Sequence, residues 1–418
     1  MNNNYLILFV VVCGVCACAS AQEGSCGSRV TWTFDASTGT LHLTGEGWMS
    51  SRCNVSDEIQ SLVKTVVVHE GITSVGNSAF MDWTEMTSFF IADSVTKIEQ
   101  RAFVRCYSLS SVAFGQNLRT IESRAFDSCG SLTTVSIPDS VTSIQWAAFS
   151  NCSRLTTFKV SDKNAQFATL DGVLFDKNIT TLVQYPCGKK DRFVVPSSVT
   201  EIDGGAFDHC MDLTEINVDR SNSFYSSYDG VLFDKNMTKL VLFPYSKEGS
   251  FTIPDTVKRI GDSAFYDSQK LTKLIIPDSV EYFGMNTFWG SRLTSVIIGN
   301  GMKSIPESSF YDCNFLETVI FSPSLTEINE CAFQRCSSLT RLDIPSSVSS
   351  IGRNAFDNNT NLELVSYKGV TDPGNDPIGS FNFCPKLAAV CVPSDYESDS
   401  FCGQNNLAPL SKCDVSKF

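Results

Sequence analysis

Histidine is scarce. His42, His69 and His209 are the only three in 418 residues. No His-Glu-x-x-His run and no Gly-x-Ser-x-Gly elbow occurs, and no Gly-rich loop joins a strand to a helix to cradle phosphate. A thiol nucleophile needs a histidine beside it, and only Cys210, next to His209, has one. Cys210 falls at a repeat position whose side chain is expected to point inward, which removes it as a nucleophile. These absences argue against an enzyme and leave no residue set for a metal or cofactor. Basic charge is also in short supply: 32 Lys and Arg face 45 Asp and Glu, a net charge of −13. Such a surface repels phosphate backbones and anionic membranes, so nucleic acid is not an expected partner. Beyond the first residues, no apolar run reaches the length of about 20 that a membrane helix needs. Hydrophobic residues at 42% and charged residues at 18% fit a folded chain.

Residues 1–21 read as a secretory signal peptide. Leu6 to Val15 is a short apolar run, and Ala19-Ser20-Ala21 is a small-x-small cleavage site before Gln22. Met1 to Tyr5 lacks the usual Lys or Arg. The last residues, Ser411 to Phe418, are too polar for a glycolipid-anchor tail. The expected location is secreted and extracellular, in association with a cell surface or wall. Five Asn-x-Ser/Thr acceptors agree with that compartment: Asn54, Asn151, Asn178, Asn236 and Asn358.

What is abundant is repetition. A small residue followed by Phe recurs at Phe80, Phe103, Phe126, Phe149, Phe207, Phe265, Phe288, Phe310, Phe333 and Phe356. Most steps are 23 residues, one is 22 and two are 58. One copy runs Leu132, Val135, Ile137-Pro138, Val141, Ile144, Ala148-Phe149, Cys152. Val135 and Ile137 alternate as in a strand. Pro138 ends that strand because it lacks the N–H a ladder needs. Val141 to Ile144 is a returning segment, and the spacing from Ala148 to Cys152 predicts one or two helical turns. A lone unit cannot bury its apolar edge, so the units stack as coils of a β-rich solenoid.

The copies Leu109–Cys129, Leu132–Cys152, Leu271–Ser291 and Leu316–Cys336 resemble the BspA-like (treponemal-type) leucine-rich repeat family. The resemblance covers residues 62–392. It implies a leucine-rich-repeat array, an extracellular setting and a role in adhesion to host proteins or other cells. Around that array the sequence suggests an N-terminal cap hairpin over 22–61 and a Cys-containing C-terminal cap over 393–418. In the N-terminal cap, Trp32-Thr33-Phe34 and Leu41-His42-Leu43 flank Ser37-Thr38-Gly39. Two matching insertions, about 161–195 and 219–250, carry Asp171 to Asn178 and Asp229 to Asn236. Each predicts a β-hairpin turning at Lys-Asn. The aspartate spacing does not match an EF-hand loop.

Of seventeen cysteines, Cys13, Cys16 and Cys18 belong to the signal peptide. Cys106, Cys129, Cys152, Cys210, Cys313, Cys336 and Cys384 share the position three after the Phe. Parallel Cβ vectors in such a column disfavour disulfides, and the expected role is a buried ladder of small hydrophobes. A linear column also disfavours tetrahedral zinc. Cys26 with Cys53 is the expected staple of the N-terminal cap. Cys402–Cys413 and Cys391–Cys413 remain alternatives for the other cap.

The strand period turns two columns outward. The early one is rich in hydroxyls, as at Thr65, Ser88, Ser111, Thr134 and Thr157. A later one stacks Ile275, Ile297 and Ile320, with Lys273 and Arg341 close by, as an exposed apolar stripe. The sequence reading is therefore a secreted binding or adhesion protein that recognises an extracellular protein or glycan on a concave strand face. A structural component of an extracellular coat or wall is the alternative, and a secreted hydrolase the remotest.

Overall fold

The computed structural model describes residues 22–374 and 379–413. The signal peptide expected at 1–21, with Cys13, Cys16 and Cys18, lies outside the described residues. Each 23-residue unit is one coil of a solenoid, and successive coils pair in parallel through two sets of short strands. In the first set, Thr65–Val68 pairs with Ser88–Ile91, which pairs with Ser111–Ala113. Gly249–Thr252, Leu271–Ile276, Ser295–Ile298 and Thr318–Ile320 do the same further along. The second set comes from the Val-x-x-Ile segment, as where Lys97–Ile98, Thr120–Ile121 and Ser143–Ile144 align. Parallel register puts chemically equivalent residues directly above one another. Every repeated side chain therefore becomes a column.

The phenylalanines form the spine. Phe80, Phe103, Phe126 and Phe149 stack with centroids 4.8–5.3 Å apart and planes within 11°. A second run from Phe243 through Phe265, Phe288, Phe310, Phe333 and Phe356 reaches Phe381. Ala precedes most of these rings, and its carbonyl accepts from the ring residue of the preceding coil. Phe80 N donates to Ala102 O at 2.8 Å, and Phe103 N to Ala125 O at 2.7 Å. A longer side chain there would crowd the ring column.

The corner around each Phe is not helical, contrary to the spacing argument. Residues two before and two after the Phe are left-handed, as at Ser78 (φ 53°) and Asp82 (φ 67°) around Phe80, or Ser308 and Asp312 around Phe310. That alternation turns every second N–H toward the next coil: Ser78, Phe80 and Asp82 donate to Gln100, Ala102 and Val104. Left-handed backbone costs a non-glycine residue about 1–2 kcal/mol, and the cross-coil bonds offset it. Helix is confined, among the described residues, to Asp57–Gln60 and a 3₁₀ turn at Leu410–Lys412.

The recurring Cys and Ser positions have the same origin. The Cys106 thiol donates to Phe80 O at 3.0 Å, Cys129 to Phe103 O, Cys152 to Phe126 O and Cys336 to Phe310 O. Asn359 takes the equivalent role toward Phe333 O. Ser140 and Ser347, in the Pro-x-Ser-Val turn, donate to carbonyls of the coil before, Leu118 and Leu325.

Each insertion is a three-stranded antiparallel meander, one strand more than a hairpin. Phe167–Leu170, Val173–Asp176 and Thr181–Gln184 form the first, and the last of these rejoins the second strand set beside Glu201–Ile202. Tyr225–Tyr228, Val231–Asp234 and Lys239–Leu242 repeat the arrangement. The extra turn is Asp171-Gly172 (φ 51° and 75°), repeated at Asp229-Gly230, where positive φ at both residues suits a two-residue hairpin. Buried Asn164 anchors the first meander to the array. Its amide donates to Pro138 O and Val141 O, and its oxygen accepts from Gln166 N and Phe167 N. Asn222 does the same in the second. After each meander, Tyr185 and Phe243 occupy the ring position, with Tyr185 5.4 Å from Phe207 and Phe243 4.9 Å from Phe265.

At the N-terminal end, Val30–Asp35 and Thr40–Gly45 form a hairpin whose second strand pairs in parallel with Thr65–Val68. Cys26 and Cys53 are disulfide-linked there. At the other end Cys391 joins Cys413, which leaves Cys402 a free, buried thiol.

Candidate functional site

The expected cysteine ladder needs two corrections. Cys210 is disulfide-bonded to Cys187 of the preceding coil, so it is not a ladder thiol. The bond forms because Cys187 follows its ring residue Tyr185 by two positions, whereas the ladder cysteines follow theirs by three, and this offset removes the parallel Cβ geometry. Cys384, at the degenerate last coil, is only half-buried. The remaining ladder residues are buried thiols, and desolvation pushes Cys106, Cys129 and Cys152 far above the ordinary thiol range. A thiolate nucleophile is correspondingly disfavoured at these three positions.

The histidines serve local contacts. His42 Nδ1 lies 3.0 Å from His69 Nε2 on the outer face of adjacent strands. His209 Nδ1 lies 2.9 Å from Asp208 Oδ1. That hydrogen bond, outweighing burial, raises the His209 pKa. Burial alone would raise Asp208, but its bonds to His209 and Ser150 and the charge of Arg124 hold it below the usual carboxylate range. Among the described residues no group of three or more His, Cys, Asp or Glu is arranged to hold a metal ion. Asp176 and Asp234 accept backbone bonds from the residues four and five on, which closes their turns.

On the strand face, register places Lys273 beside Ser295 and Thr318, and Ile275 beside Ile297 and Ile320. Alternate residues Leu274, Val296 and Val319 point into the core. Ile275 and Ile297 are half-buried, and Ile320 is 50% exposed. Lys273 is exposed. Arg341 departs from the expectation of a free cation at the stripe's edge. Its side chain is largely buried and paired with Asp343 at 3.1 Å, and its strand, Arg341–Ile344, belongs to the next sheet. The early column aligns Thr65, Ser88 and Ser111, and next to it Val67, Phe90 and Ala113, with Phe90 40% exposed.

Of the acceptor asparagines, Asn54, Asn178 and Asn236 are exposed. Asn178 and Asn236 sit in the turns between the second and third meander strands, at the Val-x-x-Ile side. Asn151 and Asn358 are half-buried at left-handed corner positions, and their amides donate to Ser128 Oγ and Asp357 Oδ2.

A coil built from Leu, Val, Ile and Phe columns, with left-handed corners and a Cys or Asn donor to the preceding ring residue, is a specific design. The sequence model of the BspA type leucine rich repeat region matches it in six copies, over residues 60–180, 177–242 and 239–363. The chain belongs to the BspA-type leucine-rich repeat family. Solved structures similar to this BspA-type array include a leucine rich cell surface protein from Faecalibacterium prausnitzii A2-165. It is 23% identical, with a TM-score of 0.50, and the match covers 90% of this chain and 96% of that one. The pneumococcal vaccine antigen PcpA is 17% identical, with a TM-score of 0.50 and 90% of each chain covered. Identity at that level shows a shared fold. Among curated proteins none matches.

Proposed function

We propose that this BspA-type array is an extracellular binding protein that holds a protein partner on its strand face. The observation that supports the reading most is the parallel register that aligns Ile275, Ile297 and Ile320 on the outward side. An outward isoleucine on three successive coils gives up burial that the solenoid does not need for its own core, and stacked apolar residues beside Lys273 form a patch suited to protein side chains. The names of the two similar structures, a cell surface protein and a vaccine antigen, agree with an extracellular setting. The acidic surface and the acceptor asparagines away from the stripe favour it too.

The test is capture of immobilised cell-surface proteins by the mature chain and by Ile297→Asp, followed by surface plasmon resonance. The variant is expected to lose about tenfold in affinity, roughly 1.4 kcal/mol, with an unchanged circular dichroism spectrum. Equal capture by both chains would remove the strand face from the reading. Self-association of the wild-type chain, abolished by the same change, would assign the stripe to coat assembly instead.

A further inference from the structure

The coils that carry a meander are short at the corner. Tyr185 follows Leu182 by three positions and Phe243 follows Leu240 by three, whereas Phe149 follows Ile144 by five. The inserted corner therefore stops below its neighbours. At the first meander the flanking corners close the shortfall. Gly205 approaches Ala147 so nearly that a Cβ would sit 2.8 Å from the Ala147 nitrogen. Ser150 Oγ donates to Asp208 Oδ2 at 3.0 Å across the same gap. At the second meander the flanking corners touch through the His209 and Tyr266 rings, with centroids 5.7 Å apart, and a recess of about 660 Å³ opens beside Val241 and Leu242. That volume is in the range of small-ligand sites. Buried Phe207 and Leu232 lie at its base, and Trp146, Tyr266 and Trp289, from three different coils, line its walls.

The charges around it balance. Asp203, Asp208 and Asp262 face Arg124, Lys239 and His209. Asp208 is already committed to His209 and Ser150, and the Arg124 guanidinium lies 4.6 Å over the Trp146 ring. The side chains of Asp203, Lys239, Ser263, Tyr266, Asn286 and Trp289 line the recess and have no hydrogen-bond partner among the described residues. A ligand of net charge would leave one sign of this set unpaired. A ligand whose hydroxyls both donate and accept satisfies both signs, and flat aromatic walls suit an apolar ring face.

We propose that this recess binds a short, uncharged oligosaccharide. Sugar hydroxyls donate to Asp203 and accept from the Trp289 indole and Tyr266 hydroxyl, while the C–H face of a ring lies against Trp146 or Trp289. Burial, with the nearby Glu201 charge, raises the Asp203 carboxyl pKa. None of Ile275, Ile297 and Ile320 lines the recess, so it is independent of the strand face.

The experiment titrates the mature chain with mannotriose, chitotriose and cellotriose, and with tetramethylammonium and N-acetylneuraminic acid as charged arms, by calorimetry and tryptophan fluorescence. At least one neutral trisaccharide is expected to bind with a Kd of about 1 mM or tighter. Trp289→Ala and Asp203→Asn, with unchanged circular dichroism, are each expected to weaken it about tenfold, and Ile297→Asp to leave it unchanged. No binding of any trisaccharide at about 10 mM, tighter binding of either charged arm, or binding indifferent to both recess variants would overturn the proposal.

Discussion

Phe310 is the residue at which the ring column can be tested most sharply. It is fully buried, 4.5 Å from Phe288 with planes 5° apart and 4.9 Å from Phe333 with planes 4° apart. Truncating a buried Phe to Ala costs about 3–5 kcal/mol through lost transfer energy and the cavity left behind. Phe310→Ala should fall near the upper end, because the coils above and below are held by their own strand ladders and cannot collapse into the space. Phe310→Leu keeps most of the volume and loses both ring pairs, each worth about 0.5–1.5 kcal/mol, so about 1–3 kcal/mol is expected. Because each coil of a repeat array contacts only its neighbours, the loss should uncouple the coils on either side of Phe310. Guanidinium unfolding followed by circular dichroism in oxidising buffer reads both the midpoint and any second transition. Phe383→Ala, at a side chain 75% exposed, should stay within about 0.5 kcal/mol of wild type. A Phe310→Ala cost below about 1 kcal/mol, or a Phe310→Leu chain as stable as wild type, would refute the stacked-ring account.

Asn164→Ala should cost about 2–4 kcal/mol by the same unfolding assay, since it strands two buried carbonyls and two N–H groups at the root of the first meander. Replacing Cys187 and Cys210 together by Ser should cost about 2–4 kcal/mol, and non-reducing mass mapping should find that bridge beside Cys26–Cys53 and Cys391–Cys413. In the folded chain Cys106, Cys129 and Cys152 should resist iodoacetamide, and Cys384, whose pKa burial pushes up to about 11, should react slowly. Full alkylation before unfolding would contradict their burial. For the Asp208–His209 pair the two signs oppose. His209 titrates above its unfolded value of about 6.5, so its contribution is complete below that pH and is lost as pH rises through the folded value. Asp208 titrates below its unfolded value, so its contribution is present above about pH 4 and is lost as pH falls through the folded value. The Tm difference between wild type and His209→Gln should therefore be largest in mildly acidic buffer and shrink on the alkaline side; a difference that grows with pH would contradict the assignment.

The solenoid was legible because its columns repeat in sequence what they repeat in space. Val135 and Ile137, or Val296 and Ile298, alternate inward in the structure as their period of two implies. The corners were misread because Ala148, Phe149 and Cys152 imitate helical spacing, while the left-handed residues that forbid a helix include Ser, Asp, Arg, Asn, His, Ala and Cys, with no common signature. The inserted coils hid Tyr185 and Phe243 because Pro follows each and no Ala precedes it. The steps of 22 from Tyr185 to Phe207 and from Phe243 to Phe265 were nevertheless present. Asp-Gly at 171–172 and 229–230 was a visible turn signal, and it accounts for the third meander strand. The Cys187–Cys210 bridge and the recess had no such mark. Both depend on how far an inserted corner falls short of its neighbours, which is a property of stacked coils and not of any one of them.

The central claim is that the corners of successive coils bond to one another in a single ladder that runs through both meanders. Hydrogen exchange of the native chain tests it directly. Peptides spanning Tyr185 and Phe243, whose N–H groups donate to Ala206 O and Ala264 O at 2.8 Å, should be protected as strongly as those spanning Phe126 and Phe333. Exchange at Tyr185 and Phe243 as fast as in exposed loops, with protection confined to the coils on either side, would mean that the ladder breaks at each insertion and would contradict the account.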